Sequence, residues 1–255
     1  MRSVDRKWIV NKKPNSNARI RLFCFPFAGG AASVFHSWIS KLPEYIEVCS
    51  IQLPGRENRF SEKPYTSIGP LVDDLMKDII DYFYMPYAFF GYSLGATICF
   101  ELAQKLRQNM HPQPMHLFIS GNTAPHIPDE EIIHNIPQVQ FIEKIRQYNG
   151  TPDFILNNKE LMDVFIPILR ADLELEETYR YSCCEPFEYP ITVFGGEDDL
   201  EVSIEGLMEW NKYTTDRFSM KMFPGGHFFL REAQIPLLQC IVNELKLTGN
   251  MLKKL

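Results

Sequence analysis

Short apolar runs alternate with helical patterns along most of this chain. The strand-like runs lie at 20–25, 48–53, 87–90, 116–120, 191–196 and 218–223. Helical patterns separate most of them, at Leu71–Tyr84, after Ser93 and at Ile204–Tyr213. Such alternation is typical of a parallel sheet with helices on both faces, whose functional sites form beyond the carboxyl ends of the strands. The predicted fold class is therefore α/β, with a mostly parallel central sheet flanked by helices.

The sequence G-Y-S-L-G at 91–95 lies between one of these runs and the helical pattern that follows it. A nucleophile elbow needs this strand, turn and helix, because flanking glycines permit a tight turn that presents the serine hydroxyl outward. A bare G-x-S-x-G match also occurs by chance, and Ser93 would then be a polar residue in an ordinary turn. The flanking elements favour Ser93 as a nucleophile.

Partners of Ser93 must also follow strands, since they have to reach the same edge of the sheet. Asp198 and Asp199 follow the fifth strand-like run, and His227 follows the sixth in the sequence P-G-G-H. Of the six histidines, His227 alone lies in a glycine-lined loop directly after a late strand. The order Ser, Asp, His along the chain is that of the α/β-hydrolases. Spacing by itself leaves both aspartates open.

Acyl transfer through a serine also needs two backbone N–H donors for the oxyanion of the tetrahedral intermediate. One is expected at Leu94, the residue after the nucleophile, and the other in the loop FPFAGGAAS (25–33) after the first strand-like run. Ala28 is the candidate donor there, and Gly29 and Gly30 let the backbone approach a substrate. A phosphate cradle is the alternative for this glycine pair, but the G-x-G-x-x-G and G-x-x-x-x-G-K patterns are absent.

Composition limits the number of domains, the kinds of partner and the location that we expect for this chain. A chain of 255 residues that is 45% hydrophobic, without linker or repeat, predicts a single domain over 1–255. A net charge of −6 argues against a nucleic-acid partner, which favours a basic surface. We find no apolar segment long enough for a signal peptide or a membrane span, and therefore expect a cytoplasmic protein without a membrane partner.

The six cysteines predict neither a metal site nor a disulfide framework. They form no C-x-x-C pair and have no histidine at zinc-ligand spacing. Cys183 and Cys184 are adjacent and could be a redox pair, but inert thiols are the expected state in a cytosolic chain. We expect most of the six to be small core residues.

The stretch between Gly121 and Pro190 is too long for a simple helical crossover and contains two helical patterns. It predicts a helical lid insertion at about 122–188, over the carboxyl end of the sheet. Pro167 is expected to kink the second helix. Six apolar positions either line an acyl cavity or attach the lid to the domain, and both interpretations stay open: Phe141, Ile145, Phe154, Leu161, Phe165 and Leu169.

Six motifs occur in a fixed order along the chain: FPFAGG, LPGRENR, GYSLGA, LRADLELEETY, GGEDD and PGGHFFL. Together they resemble the stand-alone type II thioesterases that accompany nonribosomal peptide and polyketide synthetases, and the thioesterase of fatty-acid synthesis is a close neighbour. The resemblance extends from about Ile20 to Arg231.

This resemblance implies an α/β-hydrolase fold and hydrolysis of acyl or aminoacyl groups from the 4′-phosphopantetheine arm of acyl or peptidyl carrier proteins. Mis-primed or stalled carriers would thereby be cleared by a monomeric enzyme that needs no cofactor or metal. By the family's pattern Ser93, Asp199 and His227 are catalytic, and Ala28 and Leu94 supply the oxyanion hole. Asp199 is selected over Asp198 because the family places its acid third after a glycine, as in G-x-x-D.

The elbow departs from the family's pattern, and two arginines have alternative roles. The family's elbow more often reads G-H-S-M-G, so Tyr92 and Leu94 are departures expected to reshape the pocket floor. Arg56 and Arg59 follow the second strand-like run and lie on the rim of the site. Each has either a structural role, such as pairing with Glu57 or with lid carboxylates, or a contact with the carrier's phosphate or acidic helix, because an acidic protein needs local positive charge to meet an acidic partner.

Two other functions compete with the editing thioesterase. The first is a carboxylesterase or lipase-like hydrolase of small free esters, since a serine triad does not itself distinguish esters from thioesters. The second is a catalytically silent binding protein of the same fold, which a complete set of Ser, Asp and His disfavours.

Overall fold

A computed structural model describes residues 7–10, 15–128 and 131–252 of the chain. Its centre is a seven-stranded sheet in the order β1-β3-β2-β4-β5-β6-β7. The strands are β1 (Ile9–Val10), β2 (Ile20–Phe25), β3 (Ile46–Ile51), β4 (Tyr87–Tyr92), β5 (Leu117–Ser120), β6 (Ile191–Gly196) and β7 (Phe218–Phe223). All neighbouring pairs are parallel except β1 with β3, which are antiparallel. The predicted α/β class with a mostly parallel sheet is confirmed.

Each of the six predicted strands is present, with shifted ends in three cases. The run predicted at 48–53 forms β3 two residues earlier, and β4 continues two residues beyond the predicted end, to Tyr92. The predicted strand at 116–120 begins one residue later, at Leu117. The edge strand β1 was not predicted, because two residues give no periodic signal.

Eight α-helices lie in the described part of the chain. They are α1 (Trp38–Lys41), α2 (Ile68–Ile79), α3 (Leu94–Gln108), α4 (Gln138–Gln147), α5 (Asp153–Leu156), α6 (Lys159–Glu177), α7 (Ile204–Met208) and α8 (Gln234–Leu252). The pattern at 71–84 forms α2, which begins three residues earlier, followed by a 3-10 turn (Ile80–Tyr82). The pattern at 204–213 forms α7 and a 3-10 turn (Glu209–Tyr213).

The helices cover both faces of the sheet, and alternate strand residues point to each face. Phe23 and Phe89 pack with the apolar sides of α2 and α3 in one buried cluster. Leu22 and Phe90, their neighbours along the same strands, pack with α1 and α8 in another. All six residues of β4 are buried. The central strand is therefore held from both sides, which fixes the position of the residue that follows it.

The segment between β5 and β6 contains α4, α5 and α6 and has an apolar cluster of its own, which includes Phe141, Ile145 and Leu169. Phe165 lies against the same cluster. Phe154 and Leu161 are instead 70% and 37% exposed and lie outside this cluster. Helix α6 runs from Lys159 to Glu177 through Pro167 without ending there.

No helix among residues 7–10, 15–128 and 131–252 is long and apolar enough to cross a membrane. The N-terminal stretch on which the signal-peptide prediction rests lies partly outside the described residues, as do both ends of the predicted single domain. All six cysteines are free thiols, of which Cys24, Cys49 and Cys99 are buried. Burial raises the pKa of the thiols of Cys24 and Cys99, which keeps them protonated and inert.

Candidate active site

Ser93 lies in the turn between β4 and α3, with φ 50° and ψ −121°. A positive φ is uncommon for a residue with a Cβ and marks a strained backbone that its surroundings must hold in place. The Ser93 N–H donates to the carbonyl of Ser120 at the end of β5 (2.8 Å), and the Ser93 carbonyl accepts from the Ala96 N–H (2.7 Å). The turn is therefore fixed on both sides, with a half-buried serine at its tip.

The two glycines of G-Y-S-L-G are required by close backbone contacts. A Cβ on Gly91 would lie 2.3 Å from the Gly95 carbonyl oxygen. A Cβ on Gly95 would lie 2.2 Å from the carbonyl oxygen of Phe25, the last residue of β2. Neither position tolerates a side chain without displacing backbone, so the glycines bring the start of α3 against the ends of β2 and β4.

His227 and Asp199 are joined in the loops after β7 and β6. The His227 Nδ1 lies 2.9 Å from Asp199 Oδ2. Because an ionised carboxylate only accepts, the proton of this bond belongs to Nδ1, which leaves Nε2 as the basic nitrogen. The other carboxylate oxygen, Oδ1, accepts from the backbone N–H groups of Glu201 (2.9 Å) and Val202 (3.2 Å). Asp199 is thus fixed through both oxygens.

Asp198 has a different environment from its neighbour. Asp198 is exposed, whereas the Asp199 side chain is 1% exposed. The Asp198 backbone N–H donates to the Gly225 carbonyl (2.9 Å). Of the two aspartates that spacing left open, Asp199 is the one in contact with His227.

The His227 ring lies above the strand ends beside Ser93. A Cβ on Gly121 would be 3.4 Å from His227 Cε1. Gly121 directly follows β5, which pairs with β4 through Tyr92 and Ser120. Ser93, Gly121 and the imidazole are therefore neighbours at the carboxyl edge of the sheet. Within the described residues no hydrogen bond joins the Ser93 hydroxyl to His227.

The candidate oxyanion loop follows β2 and contains a tight turn. The Gly30 N–H donates to the Phe27 carbonyl (2.8 Å), and Gly29 has φ +76°. Glycine with a positive φ in the third position is typical of a type II turn. Across the described part of the chain, the N–H groups of Ala28 and Leu94 have no hydrogen-bond acceptor, and Leu94 opens α3, where the helix dipole favours negative charge.

Two more side chains support the elbow: Asn122, which the sequence analysis did not single out, and Tyr92, which it named as a departure from the family's pattern. Asn122 donates from Nδ2 to the Ser93 carbonyl (2.9 Å) and to Glu176 Oε1 on α6 (3.0 Å). Tyr92 donates its hydroxyl to the His227 carbonyl, and its ring lies nearly parallel to the imidazole, with centroids 6.0 Å apart. Burial raises the pKa of Tyr92, so the phenol remains a donor. Tyr92, which replaces the histidine more common at this position, thus connects the elbow to the His227 loop.

Arg56 and Arg59 are 5% and 4% exposed. Arg56 forms a salt bridge with Asp172 of α6, which is the predicted pairing with a lid carboxylate. Arg59 binds Glu62 (2.6 Å), not Glu57, and its guanidinium lies 4.2 Å from the Trp8 ring centroid. Buried and paired guanidinium groups do not reach a partner's surface, so the structure favours the structural role for both.

A cavity of about 270 Å³ lies beside His227, lined among others by Asp198, Glu201 and Phe228. Burial and the charge of Asp199 raise the pKa of Glu201 there, against the opposing effect of His227. A larger groove of about 1330 Å³ opens near Tyr87 and Pro190, at the amino ends of the strands. Sites in parallel sheets form at carboxyl ends, so the larger groove lies at the wrong end of the sheet for this chemistry. Of the three candidate catalytic residues, only His227 lines the smaller cavity, and none lines the larger groove.

Comparisons with known proteins agree on one family. A family model described as a thioesterase domain matches residues 20–243. The gramicidin S biosynthesis protein GrsT of Aneurinibacillus migulanus is 46% identical over 246 residues, which cover 96% of each chain. The RedJ thioesterase of the prodiginine pathway in Streptomyces coelicolor superposes with a TM-score of 0.86 at 34% identity, covering 92% of this chain and 94% of its own.

A second solved structure leads to the same group. The type II thioesterase BorB from the borrelidin biosynthetic cluster superposes with a TM-score of 0.85 at 30% identity, covering 93% of this chain and 97% of its own. Each of the two structures thus matches more than nine-tenths of this chain.

Proposed function

Because this chain belongs to the thioesterase family, whose members hydrolyse thioesters, we propose that it releases acyl or aminoacyl groups from the phosphopantetheine arms of carrier proteins. Its role would be to clear mis-primed or stalled carriers in nonribosomal peptide or polyketide synthesis. The names of its relatives support this, because they refer to gramicidin S, prodiginine and borrelidin biosynthesis. The observation that carries the chemistry is the His227–Asp199 hydrogen bond beside the strained Ser93 turn.

In the proposed reaction Ser93 Oγ attacks the thioester carbonyl while His227 Nε2 takes the hydroxyl proton. Asp199 holds the imidazole by Nδ1 and stabilises its charged form. The C–S bond then breaks, and the pantetheine sulfur leaves as a thiol with the proton from His227. A thiol has a pKa of about 8.5, so it departs with little assistance.

Water completes the cycle by attacking the acyl-serine ester. His227 Nε2 takes a proton from the water, the ester C–O bond breaks, and Ser93 recovers its proton as the carboxylic acid leaves. The Ala28 and Leu94 N–H groups would bind the carbonyl oxygen in both tetrahedral intermediates. Since Ser93, His227 and Asp199 supply nucleophile, base and orienting group, the proposal requires neither metal nor cofactor.

The proposed partner is an acyl or peptidyl carrier protein. That this chain is a monomeric cytoplasmic enzyme stays a prediction. Hydrolysis of small free esters is the competing activity, and no contact within the described part of the site favours it. A carrier surface distinct from Arg56 and Arg59 is implied, because both arginines are buried.

A comparison of hydrolysis rates on three substrates tests the proposal. We expect acetyl-phosphopantetheinyl carrier to be hydrolysed with a kcat/KM at least about tenfold above that of acetyl-pantetheine, which corresponds to about 1.4 kcal/mol of additional transition-state binding from the carrier. Acetyl-pantetheine should in turn exceed a matched oxygen ester, because the thiolate is the better leaving group. Initial rates on the three substrates provide the measurement, and a preference for the free oxygen ester would refute the carrier assignment.

Tyr92→Phe should lower kcat by about tenfold, the value of one hydrogen bond of about 1.4 kcal/mol, because the His227 carbonyl loses its donor. Tyr87→Phe is a matched control. Tyr87 lies on the same strand and donates to the Pro112 carbonyl (2.5 Å) at the opposite end of the sheet. Stopped-flow or steady-state rates should show an unchanged kcat for the control. Equal losses in both variants would mean that Tyr92 acts only on stability.

A further inference from the structure

The lid helix α6 contacts the candidate oxyanion loop directly. Leu169 lies so close to Gly29 that a Cβ on this glycine would be 2.5 Å from Leu169 Cδ2. One helical turn further along α6, Asp172 accepts a hydrogen bond at Oδ2 from the Gly29 N–H (2.7 Å). The same oxygen binds the Arg56 guanidinium. Helix α6, the loop after β2 and the loop after β3 therefore meet at one carboxylate.

Stability alone does not explain a buried carboxylate at this position. Asp172 is 2% exposed and Arg56 5% exposed. Burying two charges costs several kcal/mol per ion before their attraction offsets it. Apolar side chains of similar size often give the fold equal or greater stability. A charged acceptor at this position has one property that an apolar residue lacks, which is that it fixes the orientation of a peptide N–H.

That orientation determines which amides of the loop are free. The Gly29 N–H is occupied by Asp172 and so does not donate to a substrate. The Gly30 N–H is occupied by the Phe27 carbonyl. On the far side of the turn, Gln52 Oε1 accepts from the Ala32 N–H (3.0 Å). The Ala28 amide, between these anchored groups, keeps its proton available.

We propose that Asp172, held by Arg56, is a positioning residue that sets the Phe27–Gly30 turn so that the Ala28 N–H points at the substrate oxygen. This inference rests on the proposed function. Donors fixed in advance of the reaction stabilise the tetrahedral intermediate more than donors that must reorient, so a loosened turn should affect the transition state rather than substrate binding.

The test replaces the ion pair by apolar residues, Arg56→Met with Asp172→Leu, because such pairs often preserve stability. We expect kcat on a short acyl-pantetheine thioester to fall about 10- to 100-fold, below the full loss of one oxyanion donor, with KM changed less than about twofold. Affinity for an alkyl boronic acid, which forms a tetrahedral adduct at the serine, should fall by the same factor. Affinity for a non-cleavable thioether analogue should be unchanged.

A second buried ion pair provides the matched control. Arg21 and Glu47 face each other near the amino ends of β2 and β3, with side chains 10% and 7% exposed against 6% and 3% for Arg56 and Asp172. Arg21→Met with Glu47→Leu should leave kcat and boronic acid affinity at wild-type values. An equal loss of kcat in this control would overturn the positioning role, because general destabilisation would then explain both results.

Other outcomes also decide the question. An unchanged kcat in the Asp172 variant, or a raised KM with kcat intact, overturns the inference. If the double variant does not fold, Asp172→Ala, which removes the acceptor of the Gly29 N–H, is measured in the same way, and an unchanged kcat there also overturns the inference. Wild-type protein that does not cleave the thioester would instead refute the proposed function, and would do so before any variant is compared.

Discussion

Ser93→Ala is expected to lower kcat for thioester hydrolysis by about 10⁶, the loss that follows removal of the nucleophile in subtilisin. The physical reason is that Ser93 forms the acyl intermediate, so catalysis without it would depend on the remaining oxyanion donors. Substrate binding should change little, because alanine retains the Cβ in the strained turn. Single-turnover rates on an acetyl-loaded carrier measure the loss.

Covalent labelling gives an independent readout of the same residue. A fluorophosphonate should modify Ser93 in the wild-type protein and give no adduct in Ser93→Ala. Ser40→Ala is the control, since this serine on α1 lies away from the site, donates to the Ser37 carbonyl (3.2 Å) and should be labelled and active as the wild type. Labelling that persists unchanged in Ser93→Ala would contradict the assignment of the nucleophile.

The position of the site follows from the sequence because it depends on the order of the elements. Once strands alternate with helices, the residues after each strand must meet at one edge, and this brings Ser93, Asp199 and His227 into one region. The role of the two elbow glycines could also be predicted from the sequence, because close backbone approach requires a residue without Cβ. These signals are local, so a single sequence contains them.

The supporting contacts could not be predicted in the same way, because they join residues far apart in the chain. Tyr92 and the His227 carbonyl are separated by 135 positions, and Arg56 and Asp172 by 116. From sequence, Arg56 could be placed on the rim of the site, with a lid carboxylate as one possible partner, but neither Asp172 nor the depth of burial could be identified. Its burial depends on a carboxylate in α6, whose orientation no local pattern specifies.

The same limit explains the apolar positions between β5 and β6. Helical spacing identifies one apolar side of each helix but not the surface that it covers. Phe141 and Ile145 are buried in a cluster within this segment, while Phe154, equally apolar in sequence, is exposed. The acyl preference therefore has to be measured on substrates of different length.

The two adjacent aspartates give the second large expected effect. Asp199→Asn should lower kcat by about 10⁴, as the corresponding change does in trypsin, because an amide facing Nδ1 favours the wrong imidazole tautomer. The carbonyl oxygen of the new amide would still accept from the Glu201 and Val202 N–H groups, so the loop should keep its structure while the base is lost. Asp198→Asn is the matched control. Its side chain is exposed, and it should cost less than about tenfold, or 1.4 kcal/mol. Steady-state kcat values for both variants decide between the neighbours: a greater loss at Asp198 than at Asp199 would transfer the proposed role to Asp198 despite the observed hydrogen bond.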